Sequence, residues 1–274
     1  MAVIIGTSGW QYKDWRGRFY PAELALRHWL EHFAVQFQTV EVNNAFYRLP
    51  EADTFRRWRE TVPDDFIMAV KASRYLTHVR RLKDPEAPVQ RLMSRVCHLG
   101  SNLGPILLQL PPNFRADLPA LERTLACFAP GTRVAVEPRH DSWFTPALAT
   151  LLRDHEAALC LSDARGPKGP LWRTAPWGYL RMHEGRARPH PCYGRTALRS
   201  WAARLADLWE DSEDVFVYFN NDHGGCAVRD AHGFASASRM TGRSPTRVPD
   251  ARAATLRVAP ALNAVEPLAR KVAS

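Results

Sequence analysis

The stretch RVAVEPRHDSWF, Arg133 to Phe144, brings a carboxylate, a guanidinium and an imidazole together at the end of an apolar run. Val134 and Val136 alternate with Ala135 and Glu137, as in a buried strand. A carboxylate that closes a buried strand costs free energy unless a donor meets it. Lys71 and Arg181 are the leading candidates to meet Glu137. Glu137 and a second strand-end carboxylate, Glu41, are suited to general acid–base catalysis, provided unequal neighbours drive their pKa values apart. His140 is a third candidate proton carrier. Lys71, Arg139 and Arg181 would hold an anionic group, and Asn43, Gln109, Asp163, His183, Asn220 and Asn221 are further candidates for binding the substrate. Trp10, Tyr12 and Trp143, with Trp15, Phe19, Tyr20, Phe46 and Tyr47, either wall a pocket for a sugar or base or form an apolar lid.

Several of these residues are ligand types for zinc or manganese, but no HExxH-like spacing occurs and the three cations crowd them. No cofactor is expected, with a divalent metal as the minor alternative. Ser8 beside His140 or His183 lacks the GxSxG elbow of a serine hydrolase. Asn221 to Gly225 is a weak candidate for a phosphate position.

The elements that must position these groups follow from hydrophobic spacing. Strands are expected at 2–7, 39–43, 66–71, 105–110, 133–137, 158–163, 178–183 and 215–220. Helices are expected at 21–37, 51–61, 86–99, 117–128, 145–155 and 196–210, and from about 226 to 235. Asp117 and Thr145 are N-caps, with Pro146 in a first helical turn. Residues 164–177 are rich in Gly, Pro and Trp and show no crossover helix. Eight strands, mostly separated by helices, point to a single-domain (β/α)8 TIM-type barrel over residues 1–239. A doubly wound open sheet is the rival. Residues 240–274 are poor in periodicity and expected to be a loosely ordered Ala/Arg/Pro-rich extension outside the barrel.

In such a barrel the chemistry sits at the C-terminal strand ends. Every expected strand ends in polar residues, and parity sharpens this. Glu41 and Asn43 share one face against Val40 and Val42; Tyr179, Arg181 and His183 oppose Leu180 and Met182. The polar face should point into the barrel, since the other must pack on helices. The competing explanation is a buried charge network without a substrate. Breaking such a network costs about 3–5 kcal/mol, yet apolar replacement of the whole is often neutral.

Composition sets outer bounds. The chain has 274 residues, of which 46% are hydrophobic, enough for a substantial core. No apolar run long enough for a membrane span and no secretory signal is seen, so a cytoplasmic protein is expected. The formal charge is +9, but seven basic and only two acidic residues fall from Arg239 onward, which weakens the case for a nucleic-acid footprint on the barrel. Five scattered cysteines without a CxxC spacing favour buried thiols over disulfides.

The segments GTSGWQYKDWRGRFYP, VEVNNAFYRLP, VKASRYLTH followed by RRL, LGPILLQLPPNF, VEPRHDSW and YFNND occur in this order over residues 6–222. Together they resemble the YecE-like family, domain of unknown function 72. The resemblance implies a TIM-type barrel. It also implies that the Trp10 loop, Glu41, Asn43, Lys71, His78, Gln109, Glu137, Arg139, His140 and Asn220 are motif positions. It implies no activity. The expectation is therefore an enzyme, a hydrolase, isomerase or lyase, acting on a small anionic or polyhydroxylated molecule. One alternative is a nucleic-acid-binding protein or metal-dependent phosphodiesterase, by analogy of fold. Another is a non-catalytic binding barrel.

Overall fold

The structure is a computed structural model that describes residues 2–164, 169–210 and 212–250. Eight parallel strands form a closed ring: β1 (Ala2–Thr7), β2 (Thr39–Val42), β3 (Ile67–Lys71), β4 (Leu103–Gln109), β5 (Val134–Glu137), β6 (Ala158–Ser162), β7 (Gly178–Met182) and β8 (Val215–Phe219). They neighbour one another in chain order, and β1 returns to β2 through Gly6–Thr39 and Thr7–Val40. The open-sheet rival is thereby removed.

Around the ring lie α1 (Trp29–Gln36), α2 (Asn44–Tyr47), α3 (Ala52–Thr61), α4 (Glu86–Val96), α5 (Leu118–Ala126), α6 (Pro146–Asp154), α7 (Arg195–Leu208) and α8 (Cys226–Arg239). Both expected N-caps form: Asp117 Oδ1 accepts from the Ala120 amide at 3.0 Å, and Thr145 Oγ1 from that of Leu148 at 3.3 Å. The helix expected from Pro21 begins only at Trp29. Tyr20 stacks on Trp29 at 4.2 Å, and Phe19 packs against Phe33 at 6.0 Å. The intervening residues turn the chain between those rings.

No helix joins β6 to β7 among the described residues. There Thr174 Oγ1 accepts from the Leu159 amide at 2.7 Å and donates to the Ala157 carbonyl at 2.8 Å, which ties the connection to the start of β6. Ala175 and Trp177 join the same buried cluster as the barrel-lining Ile4, Ala69, Leu107, Ala135, Tyr179 and Phe216. Side-chain parity along the strands makes these the inward positions, and a larger cluster packs the strands on the helices.

Two expectations are corrected. The boundary at residue 239 cuts through the packed body. β9 (Ser244–Pro245) pairs in parallel with Ala2 and Val3 of β1. Arg247 then bridges Asp65 at 2.6 Å and donates to the Ala34 and Phe37 carbonyls. The remainder of the expected extension, 251–274, lies outside the described residues. The expectation of thiols alone also fails, because Cys192 and Cys226 form a disulfide across 34 residues of sequence. Only the fold brings together the β7–α7 connection and the start of α8, so no local spacing could announce the pair. No described helix is long and apolar enough to cross a membrane.

The barrel seam depends on one small residue. A Cβ on Gly6 would lie 2.2 Å from the Thr39 carbonyl oxygen. Gly6→Ala is expected to cost about 1–3 kcal/mol or more by forcing β1 and β2 apart. A urea titration showing an unchanged midpoint would contradict this.

Candidate functional site

The inward parity that places Ala69, Leu107, Ala135 and Tyr179 in the apolar interior brings the next inward residues to the barrel mouth: Lys71, Gln109, Glu137 and Arg181. Glu41 enters from β2. This polar layer is almost closed to solvent, with Glu41 0%, Glu137 1%, Arg181 1%, Lys71 9% and Gln109 9% exposed.

Arg181 sits between the carboxylates. Its Nε and Nη2 grip the two oxygens of Glu41 at 2.9 and 2.8 Å, while Nη1 reaches Glu137 at 2.8 Å. Tyr179 donates its hydroxyl to Glu41 at 2.7 Å. Glu137 also accepts from Gln109 at 2.8 Å and from Arg139 at 3.0 and 2.7 Å. His183 Nε2 lies 3.2 Å from both Glu137 Oε1 and Arg139 Nη2, and its Nδ1 is 3.2 Å from the Asn220 amide nitrogen.

Burial works to raise both carboxyl pKa values. For Glu41 the charge and hydrogen bonds of Arg181, with the Tyr179 hydroxyl, outweigh it and leave the group below its ordinary range. For Glu137 the Arg181 charge, the His183 hydrogen bond and Arg139 outweigh it by more, and the group lies well below that range. Arg181 stays charged, since its two carboxylates overcome its own desolvation. The sequence-based expectation of two carboxyls driven apart in pKa is corrected: both are held ionised, with their oxygens occupied.

Lys71 behaves differently. It was expected to share the neutralisation of Glu137, yet no carboxylate of the described residues lies within 4.0 Å of its ammonium. Its Nζ instead lies 4.0 Å from the centre of the Phe46 ring, a cation–π contact. Burial and the Arg181 charge push its pKa down to about 8, against the pull of Glu41 and Glu137. His78, which packs edge-on to the same ring at 4.9 Å, is pushed down to about 4 by burial and by the charges of Lys71, Arg74 and Arg139. His78 was legible only as a motif position. Phe46 was legible only as one aromatic among many, because its partner lies beyond α3 at the end of β3.

Other expected site residues are placed elsewhere. Trp10 is 3% exposed and meets Trp58 edge-on at 5.3 Å; Trp143 is fully buried and donates to the Phe114 carbonyl at 2.8 Å. These two are lid and core, since their ring faces are already covered. Tyr12 donates to the Ser8 carbonyl and packs on Trp15. His140 Nδ1 accepts from the Ser142 amide at 3.1 Å, lies 2.9 Å from Asp141 Oδ1 and caps the turn Asp141–Trp143; among the described residues it makes no hydrogen bond to the Glu137 cluster. Asp163 accepts from the His183 amide at 2.6 Å and from the Tyr193 hydroxyl, and so holds the loop after β7. Asn221 donates to Asp230 at 2.7 Å and to the Pro191 carbonyl at 3.0 Å. The Gly224 amide is taken by Asp14 at 2.8 Å, so the expected phosphate position is already occupied by protein. Asn43 donates to the Ser8 carbonyl at 3.1 Å; its Oδ1 and the Ser8 Oγ are buried without a partner among the described residues.

Among the described residues no three His, Cys, Asp or Glu side chains converge as a metal site. A cavity of about 40 Å³ opens beside Glu137, Arg139 and Ser162, on the scale of a water molecule. The loop after β3 carries a π-helical turn, Tyr75–Val79, followed by left-handed backbone at Arg81, Leu82 and Asp84. Non-glycine residues enter that region at a cost, and such strain gathers at working loops.

Known proteins resemble this chain in sequence and in fold. The UPF0759 protein YecE of Escherichia coli is 31% identical over 143 residues, which is 52% of this chain and 50% of that protein, so the match spans about half the relative's length. The UPF0759 protein YunF of Bacillus subtilis is 27% identical over 271 residues, covering 82% of this chain and 91% of that protein. A crystal structure of a DUF72 family protein from Thermotoga maritima superposes with a TM-score of 0.74 at 25% identity, covering 86% of this chain and 98% of that one. The family model described as protein of unknown function DUF72 matches residues 4–254. The match spans the ring of strands, the polar layer at its mouth and the returning segment at 244–247, and the chain belongs to the DUF72 family.

Proposed function

We propose that this chain is an enzyme that moves a proton on a small anionic, polyhydroxylated substrate, with Lys71 as the acid–base group. The observation that carries this is the inverted division of labour at the mouth. Both carboxylates are saturated by donors and held ionised, while the lysine is buried and has no carboxylate of the described residues within ion-pair distance. A glycosidase needs one carboxyl that is protonated at working pH, and neither Glu41 nor Glu137 offers it. An amine with a pKa of about 8 populates both forms near neutrality and suits general acid–base work. An isomerase or lyase is therefore favoured over a hydrolase.

The remaining groups have supporting roles in this scheme. Arg139, held by Glu137 and partly exposed, meets the anionic group, while His183 and Asn220 bind hydroxyls. Arg181 is neutralised by its own carboxylates and orients them.

The test is solvent-proton exchange. The protein is incubated in D2O near pD 8 with a panel of phosphorylated ketoses and aldoses and of hydroxy acids, and each compound is followed by NMR. The expected result is deuterium entering one carbon next to a carbonyl or carboxylate in at least one compound. No exchange in any compound, with no thermal shift from any anion in the panel, would sink the proposal.

A further inference from the structure

Beside the barrel mouth, between α2, the strained loop after β3 and α4, lies a groove of about 700 Å³. That is a volume suited to a single mid-sized ligand. Its charge is one-sided. Arg48, Arg74, Arg80, Arg91 and Arg95 line it, against two acidic residues, Glu51 and Asp84. The acids are spent locally: Glu51 bridges Arg95 at 2.9 Å, and Asp84 bridges Arg80. Arg48, Arg74 and Arg91 are exposed and have no carboxylate partner among the described residues. The groove also exposes two phenol rings, Tyr47 at 81% and Tyr75 at 55%.

Unpaired guanidinium groups recognise phosphate oxygens through forked hydrogen bonds. Free aromatic faces stack on nucleobases, which all present a π-face. The groove also adjoins the candidate active site through Phe46. Phe46 lines it, and the centre of that ring lies 4.0 Å from Lys71 Nζ.

We propose that this groove binds a nucleoside diphosphate group, with the base stacked on Tyr75 and the phosphates on Arg74 and Arg91, so that the substrate of the mouth is a nucleotide-linked polyhydroxy compound. The inference rests on the proton-transfer proposal only for the end of the substrate that reaches Lys71. The nucleotide end is argued from the groove itself. A bound diphosphate would cross the Phe46 edge and deliver the attached group to Lys71, which explains why the amine is left without a carboxylate.

The test is calorimetric titration of the intact protein with ADP, UDP, inorganic pyrophosphate and a twelve-residue oligothymidylate, at low and physiological salt. A nucleoside diphosphate is expected to bind about 10-fold or more tightly than pyrophosphate, since stacking contributes on that scale. Arg74→Ala, Arg91→Ala and Tyr75→Ala are each expected to weaken it about 10-fold. Pyrophosphate binding as tightly as the nucleotides, or indifference to Tyr75→Ala, would overturn the nucleoside assignment. Tighter binding of the oligothymidylate, with a steeper salt dependence, would overturn it in favour of a single-strand groove. No binding by any probe would overturn it outright. A nucleoside-diphosphate sugar is added to the D2O exchange panel, so that calorimetric binding without exchange overturns Lys71 alone and exchange without calorimetric binding overturns the groove alone.

Discussion

Arg181→Met lowers the stability of the fold by about 3–5 kcal/mol, the scale for removing one partner from a buried ionic network. The expected readout is a lower urea midpoint with an unchanged slope. The loss is uneven. Glu137 keeps Arg139, Gln109 and His183, whereas Glu41 is left with Tyr179 as its only hydrogen-bond donor among the described residues. Adding Glu41→Gln to Arg181→Met should therefore recover part of the loss, because it removes the stranded charge.

The pH dependence has opposite signs in the two proteins. In the wild type both carboxyls lie below their ordinary 4.5. Their stabilisation is fully present above that pH and is lost as pH falls through the folded values. In Arg181→Met, burial without the guanidinium raises the Glu41 pKa, so its penalty is present above the folded value and relieved as pH falls. A variant whose stability tracks the wild type in acid would refute the structural role assigned to Arg181.

Lys71→Met is expected to reduce proton exchange by about 10²–10⁴-fold, the usual contribution of a positioned acid–base group. Lys71→Arg should not rescue it, since a guanidinium keeps its proton. In the wild type the exchange rate should follow a group titrating at about 8, and that limb should vanish in Lys71→Met. Stability moves the other way. The lysine's folded pKa of about 8 lies below its ordinary 10.5, so between these values the unfolded chain binds more protons and stability rises with pH. Below about pH 8 the full cost of burying the ammonium is present, on the order of 3 kcal/mol. Lys71→Met should remove that cost at pH 7 and gain nothing at pH 11. An inactive variant that is also much less stable at pH 7 would mean the lysine is structural.

The positions of the polar layer were legible because they depend on periodicity alone. Alternation in TVEV, IMAVK, VAVE and GYLRM commits Glu41, Lys71, Glu137 and Arg181 to the inward face once the strands close into a ring. The caps at Asp117 and Thr145 were legible for the same reason, since a cap is satisfied within three residues of itself. The chemistry of the layer was not. One guanidinium with three nitrogens reaches carboxylates on two other strands, and the lysine, with comparable charge and parity, receives neither. Which cation a carboxylate meets depends on distance across the barrel, a quantity that spacing along the chain does not contain.

The aromatic loop shows the same limit at larger scale. Trp10, Trp15, Phe19 and Tyr20 look alike in sequence to Tyr47 and Tyr75, but the first four are buried and the last two stand in water. The Cys192–Cys226 pair and the return of residues 244–247 onto β1 and α1 join segments far apart in the chain. By itself the sequence determined the eight strands, their order and the inward set of polar residues, because hydrophobic alternation and capping are local. Only the tertiary structure decided that Arg181 holds both carboxylates and that Lys71 meets the Phe46 ring with no ion pair among the described residues, because charge pairing and ring burial are settled by closure of the barrel.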